Sequence, residues 1–230
     1  SEDHSSCFFT SFIWYIGAIV VTAFLVRFAQ FVNRNFFRTG YNVQERYGKD
    51  SWILITGATA GIGLELCKYS AKEKGLNVIL VGRNPEKLKS AEKEVQAANP
   101  KIKTKTYRLD FTESTDIEMY TKVSESLKDL DISMIVNNAA IMPLNSIRDV
   151  TYEELNHMTE TNIHGLSMLT KIFSDRFAKR DKRSAIINVS SQAGYSPIPL
   201  NAHYAATKAF VRSFTKAVGF EIEDKVDTLC

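Results

Sequence analysis

Residues 52–63 read WILITGATAGIG, and the fold is decided there. Trp52 to Thr56 is a short, mostly β-branched apolar run of the kind that forms a fully buried strand. It runs directly into a turn with glycines at 57, 61 and 63, and then into a helical pattern that continues to about Lys74. Glycines let a backbone turn tightly and approach a pyrophosphate without a Cβ in the way. The helix that starts there offers free N–H groups and the positive end of its dipole to phosphate oxygens. A glycine turn alone says little, but between a strand and a helix it is placed as a dinucleotide site requires.

Outward from this stretch, apolar strands alternate with longer helical patterns. NVILVG (77–82), TKTYRLD (104–110), SMIVNN (133–138) and AIINVSS (185–191) read as strands. PEKLKSAEKEVQAAN (85–99) and the segments around 113–130, 152–179 and 202–223 read as helices, with Pro85 suited to a first helical turn. KVDTLC (225–230) reads as the start of another strand. Short buried strands alternating with helices predict an α/β fold, a doubly wound parallel sheet with helices on both faces. The second strand ends NVILVGRN, which puts Arg83 where an acidic residue would bind a ribose 2′-hydroxyl and an arginine would suit a 2′-phosphate. NADP(H) is the expected cofactor; the competing reading is a solvated surface arginine.

The N-terminus has a different character. Cys7 to Val26 carries no charge and includes FIWYIGAIVVTAFLV (12–26). Its length matches the roughly 20 residues a helix needs to cross a bilayer core of about 30 Å. Glu2 and Asp3 precede it where a signal peptide would have a basic leader. A membrane helix is expected, a buried helix being the competing reading. Arg27, Arg34 and Arg38 follow the run and no Lys or Arg precedes it, so the remainder should face the cytoplasm. The expected organisation is a tail and transmembrane helix over 1–26, a juxtamembrane connector over 27–50, and the α/β domain over 51–230. Within the connector, FAQFVNRNFF (28–37) could lie at the lipid interface as an amphipathic helix.

The net charge of +3 and the lack of a basic block give no reason to expect nucleic acid. Cys7, Cys67 and Cys230 have no disulfide or metal spacing, and His157, His164 and His203 have none for a metal either. Tyr204 and Lys208 stand four apart on a helical stretch and so share a face. An ammonium beside a phenol favours the phenolate, which makes the pair suited to acid–base work.

Thr56-Gly57-x-x-x-Gly61-Ile62-Gly63, Asn137-Asn138-Ala139-Ala140 and Tyr204-x-x-x-Lys208 with a serine upstream resemble, in order and spacing, the motifs of the short-chain dehydrogenase/reductase family, over about residues 50–230. The resemblance implies a Rossmann-type fold and hydride transfer to or from a carbonyl carbon. It implies Ser191, thirteen residues before Tyr204, as the group that holds the carbonyl oxygen, in preference to Ser190. It implies Tyr204 as acid and base, and Lys208 and Asn162 as supports of a proton relay, Lys208 also reaching the nicotinamide ribose. Gly57, Gly61, Ile62 and Gly63 would hold the cofactor with Arg83, Asp110 near the adenine, and Asn138 and Ala139 near the adenosine ribose. Asn137 would be a strut between strands. Ala140 departs from the family's usual glycine.

Within the family, the N-terminal span, NVILVGRNPEKL (77–88) and PIPLNAHYAATKAFVRSFTKA (197–217) look most like membrane-bound very-long-chain 3-oxoacyl-CoA reductases and 17β-hydroxysteroid dehydrogenases. The expected substrate is then a lipophilic ketone or acyl-CoA. The expected location is the endoplasmic reticulum membrane, with a mitochondrial membrane and homodimer or membrane-complex partners left open. The family's Pro-Gly segment near the nicotinamide does not occur by residue 230, so the C-terminal part of the fold is expected to be missing. That sustains a rival expectation, a degenerate dehydrogenase domain serving as an accessory subunit.

Overall fold

The computed structural model describes residues 2–37, 40–113, 116–196 and 198–230, without the side chains of 2–10 and 34. Arg38, part of the basic flank, therefore lies outside the described residues, as do the side chains of Arg34 and Cys7. The chain divides into two compact units, Ser1–Tyr41 and Asn42–Cys230.

The first unit is helix α1 (Glu2–Val32), continued by a π-helical turn, Asn33–Phe37. Ser11–Phe37 has a mean hydropathy of 2.0, long and apolar enough to cross a membrane. Large apolar side chains such as Trp14, Ile19, Val20 and Phe24 are exposed along it. The helix does not break between 26 and 27, where the connector was expected to begin. No glycine or proline interrupts it there, so the backbone ladder continues to Val32.

The second unit begins with helix α2 (Val43–Tyr47), capped by Asn42, whose Oδ1 accepts from the amides of Gln44 and Glu45. Six parallel strands follow: β1 (Trp52–Thr56), β2 (Asn77–Gly82), β3 (Thr104–Arg108), β4 (Ile132–Asn137), β5 (Ser184–Asn188) and β6 (Val226–Leu229). Their order in the sheet is β3-β2-β1-β4-β5-β6. Helices α3 (Gly61–Lys72), α4 (Pro85–Ala98), α5 (Ile117–Ser126), α6 (Tyr152–Thr159), α7 (Leu166–Phe177) and α8 (Ala202–Ile222) provide the crossovers, with a π-helical stretch, Glu160–Gly165, between α6 and α7.

Alternation along the strands separates two cores. Leu54, Ile79, Ile135 and Ile186 face Tyr120 and Val123 of α5 and Phe173 and Phe177 of α7. Ile53, Ile55, Leu80 and Val136 face Cys67 and Ala71 of α3 and Leu88 and Val95 of α4. The doubly wound parallel sheet expected from the sequence is the fold observed. Strand order reverses between β1 and β4, and the crevice outside their carboxyl ends is where such sheets bind ligands.

Candidate active site

The glycine turn lies at that reversal. Gly57 and Gly61 take φ of 64° and 54°, the left-handed region that costs other residues strain. Gly63 is required for space: a Cβ there would stand 2.2 Å from the Gly57 carbonyl oxygen. The N-cap of α3, Ala60, makes no side-chain capping bond, so no cap side chain occupies the first-turn amides. Ile62, on the same turn, is exposed.

The turn is held from behind by a clip between β1 and β4. The Thr56 hydroxyl accepts from the amides of Asn138 at 2.9 Å and Ala139 at 3.0 Å. In return, Asn138 Nδ2 donates to the Thr56 carbonyl at 3.0 Å. Gly57, Gly82, Arg83, Asp110, Ala139 and Thr161 line one cleft of about 180 Å³. Four of the expected cofactor positions, Gly57, Arg83, Asp110 and Ala139, are thus brought to a single crevice. Asp110 Oδ1 accepts from both the amide and the hydroxyl of Thr112, which fixes its carboxylate. Asn137 is buried in the way a strut should be. Its Nδ2 donates to Thr170 Oγ1 and to Asn188 Oδ1, and Asn188 donates on to Thr215, tying β4 and β5 to α7 and α8.

The second half of the site lies where β5 ends against α8. Tyr204 and Lys208 share a helix face, with Lys208 Nζ 5.7 Å from the Tyr204 ring centre. Lys208 is buried and donates to the Val189 carbonyl at 2.8 Å. Burial pushes its ammonium down to about 8, opposed by the nearby Cys230. The two candidate serines differ in what they hold. Ser190 donates its hydroxyl to the Lys208 carbonyl at 2.8 Å. Among the described residues Ser191 Oγ accepts from the Ala193 amide, at 3.2 Å, and donates to none, so its proton remains to be donated. Ser191 borders a second cleft with Gln192, Tyr195 and Leu229. A Cβ at Gly194 would stand 2.7 Å from the Lys208 carbonyl oxygen, so this turn packs on the α8 backbone itself.

Asn162 is buried in the π-helical stretch, a distortion often found at functional sites. Its Oδ1 accepts from the Ile141 amide, and its Nδ2 donates to the Ile141 carbonyl and to Thr207 Oγ1. It therefore joins the segment after β4 to the helix of Tyr204 and Lys208, with its amide engaged on Ile141 and Thr207. Sequence reasoning gave no part to Thr56 or Thr207. Their positions, just before the first glycine and between Tyr204 and Lys208, were the only available signal. Among the described residues no group of acidic, His and Cys side chains is arranged to hold a metal.

A family profile described as short chain dehydrogenase matches residues 51–229. The chain is 33% identical over 226 residues to a very-long-chain 3-oxoacyl-CoA reductase of Coccidioides immitis (strain RS), covering 96% of this chain and 64% of that protein. It is 34% identical over 218 residues to the enzyme of that name from Mycosarcoma maydis, covering 90% and 61%. This chain thus spans somewhat under two thirds of the length of these relatives. Among solved structures, one from a study of 7beta-hydroxysteroid dehydrogenase stereoselectivity superposes with a TM-score of 0.72 at 34% identity, over 81% of this chain and 71% of the other. With the glycine turn and the β1–β4 clip beside a parallel sheet and the Tyr204–Lys208 pair on the helix α8, the profile match over most of the chain establishes that this chain belongs to the short-chain dehydrogenase family.

Proposed function

We propose that this chain carries out NADP(H)-dependent reduction of a carbonyl on a lipophilic substrate, a 3-oxoacyl-CoA or a sterol ketone, or the reverse oxidation. The observation that supports the reading is the Tyr204–Lys208 pair on one face of α8, with the Lys208 backbone carbonyl accepting from Ser190, the neighbour of Ser191. The cradle fits a dinucleotide, because nothing lies within 4 Å of where a Cβ at Gly61 would stand and no cap side chain occupies the first-turn amides of α3. Gly57, Gly61, Ile62, Gly63, Asp110, Asn138 and Ala139 would hold the cofactor, with Arg83 toward a 2′-phosphate and Tyr204 and Lys208 at the nicotinamide ribose. When bound, the nicotinamide supplies the hydride.

Ser191 donates to the carbonyl oxygen and holds the charge that develops there. Tyr204 gives that oxygen a proton, and the Lys208 ammonium stabilises the phenolate left behind. The Lys208–Val189 bond keeps the ammonium in place. Asn162 supports the lysine side of the relay through the loop and helix it joins. Helix α1 would anchor the domain on the cytoplasmic face of the endoplasmic reticulum, where lipophilic substrates partition into the bilayer.

The test is NADPH- and NADH-dependent reduction of long-chain 3-oxoacyl-CoA and sterol ketones by the parent, Tyr204→Phe and Arg83→Asp proteins. Tyr204→Phe should keep NADPH affinity and lose at least ~10²-fold in turnover. Arg83→Asp should narrow the preference for NADPH over NADH. Undiminished turnover in Tyr204→Phe would refute its role as acid. Cofactor binding without turnover of any ketone would favour an accessory subunit.

A further inference from the structure

Residues 42–48 lie outside the 51–229 region matched by the family profile, yet they are bonded to distant parts of the domain. Gln44 Nε2 donates to the Lys74 carbonyl at 3.0 Å, beyond the end of α3. Arg180 Nη2 donates to the Tyr47 carbonyl at 2.9 Å. The third attachment is the most densely bonded. Arg46 approaches Asp227 with two nitrogens, at 2.6 and 2.8 Å, and Tyr47 donates its hydroxyl to the same carboxylate at 2.8 Å. Arg183 adds further bonds to Asp227 Oδ1, at 3.2 and 2.9 Å.

Asp227 lies on β6, which among the described residues is an edge strand paired only with β5. Two residues further along, Leu229 lines the cleft beside Ser190, Ser191 and Tyr195. That is a displacement of about 7 Å along the strand.

We propose that residues 42–48 form a strap that positions the cleft lined by Ser191: by gripping Asp227 they hold β6, and through Leu229 they set part of the wall of that cleft. Arg46 and Tyr47 are positioning residues that act through the strand, and touch neither substrate nor cofactor. The cleft part of the proposal rests on the role proposed for Ser191, which lines that cleft. The strap's hold on β6 does not depend on it.

The experiment uses the full chain in detergent, with hydrogen–deuterium exchange of Val226–Leu229 and NADPH dissociation constants measured side by side. Tyr47→Phe removes one hydroxyl and should keep the fold while speeding exchange at 226–229 several-fold. Arg46→Ala should speed it at least about tenfold, the change expected on loss of a charge-assisted bond, and weaken NADPH about fivefold or more. Arg46→Lys should fall between parent and Arg46→Ala. Val123→Ala, a cavity in the α5 core, should lower the melting temperature yet leave NADPH affinity unchanged.

Unchanged exchange in Arg46→Ala would overturn the strap, and weakening of NADPH by Val123→Ala to the same degree would overturn its specific action on the cleft. A parent protein that binds no dinucleotide would overturn the functional reading and the cleft part of the proposal together, while exchange at 226–229 would still judge the grip on β6.

Discussion

Thr56→Val is the substitution that most directly tests how the glycine turn is held. Valine has nearly the shape of threonine, and the site is 1% exposed, so packing is conserved. What is lost is the acceptor for two backbone amides, Asn138 at 2.9 Å and Ala139 at 3.0 Å, and a long donation to the Val136 carbonyl at 3.4 Å. A donor left without a partner costs about 1–3 kcal/mol. The two amides are part-buried rather than sealed, so together they should cost about 2–4 kcal/mol. For a domain of this size that corresponds to a fall of roughly 5–15 °C in melting temperature. Thr56→Ser keeps the hydroxyl and loses one methyl, a cost of about 1 kcal/mol. Chemical and thermal unfolding of the full chain should therefore rank parent above Thr56→Ser above Thr56→Val. If packing governed the site the order of the two variants would invert, and a Thr56→Val protein as stable as the parent would refute the clip.

Gly63→Ala should abolish measurable dinucleotide binding in titration, because its Cβ would overlap the Gly57 carbonyl at 2.2 Å, whereas Gly61→Ala meets nothing within 4 Å and should cost only about 1–2 kcal/mol of stability through its φ of 54°. The Lys208 ammonium is lowered to about 8, so it is present below that pH and lost as pH rises through it; the reductive rate should fall along a limb with an apparent midpoint near 8, and a rate still flat at pH 9 would contradict its role. Burial raises the Asp227 carboxyl, but the bonds from Arg46, Arg183 and Tyr47 outweigh this and hold it well below the usual range. Its stabilisation should be present above about pH 4 and lost as pH falls further, and Asp227→Asn should flatten that acid limb in pH-dependent unfolding. If α1 spans a bilayer, alkaline carbonate should leave the chain in the membrane pellet, and its release would refute the span.

Ordering of strands and helices, the glycine turn and the apolar N-terminal run were legible because each depends on residues near one another in the chain. A five-residue apolar strand, a turn that needs left-handed backbone and a helix face repeating every four residues leave their marks locally. Motif spacing likewise gave Tyr204, Lys208 and Ser191 as candidates. Which serine keeps an uncommitted proton could not be read locally, because Ser190 is occupied by the carbonyl of Lys208, eighteen residues on and in another element. The Thr56 clip and the grip of Arg46 on Asp227, 181 positions apart, were hidden for the same reason. A hydrogen bond between distant segments requires only that two polar atoms meet with good geometry, and many residue types at many spacings satisfy that. The stacking of β4 and β5 beside β1, and the packing of α8 across their ends, decided which of those atoms met.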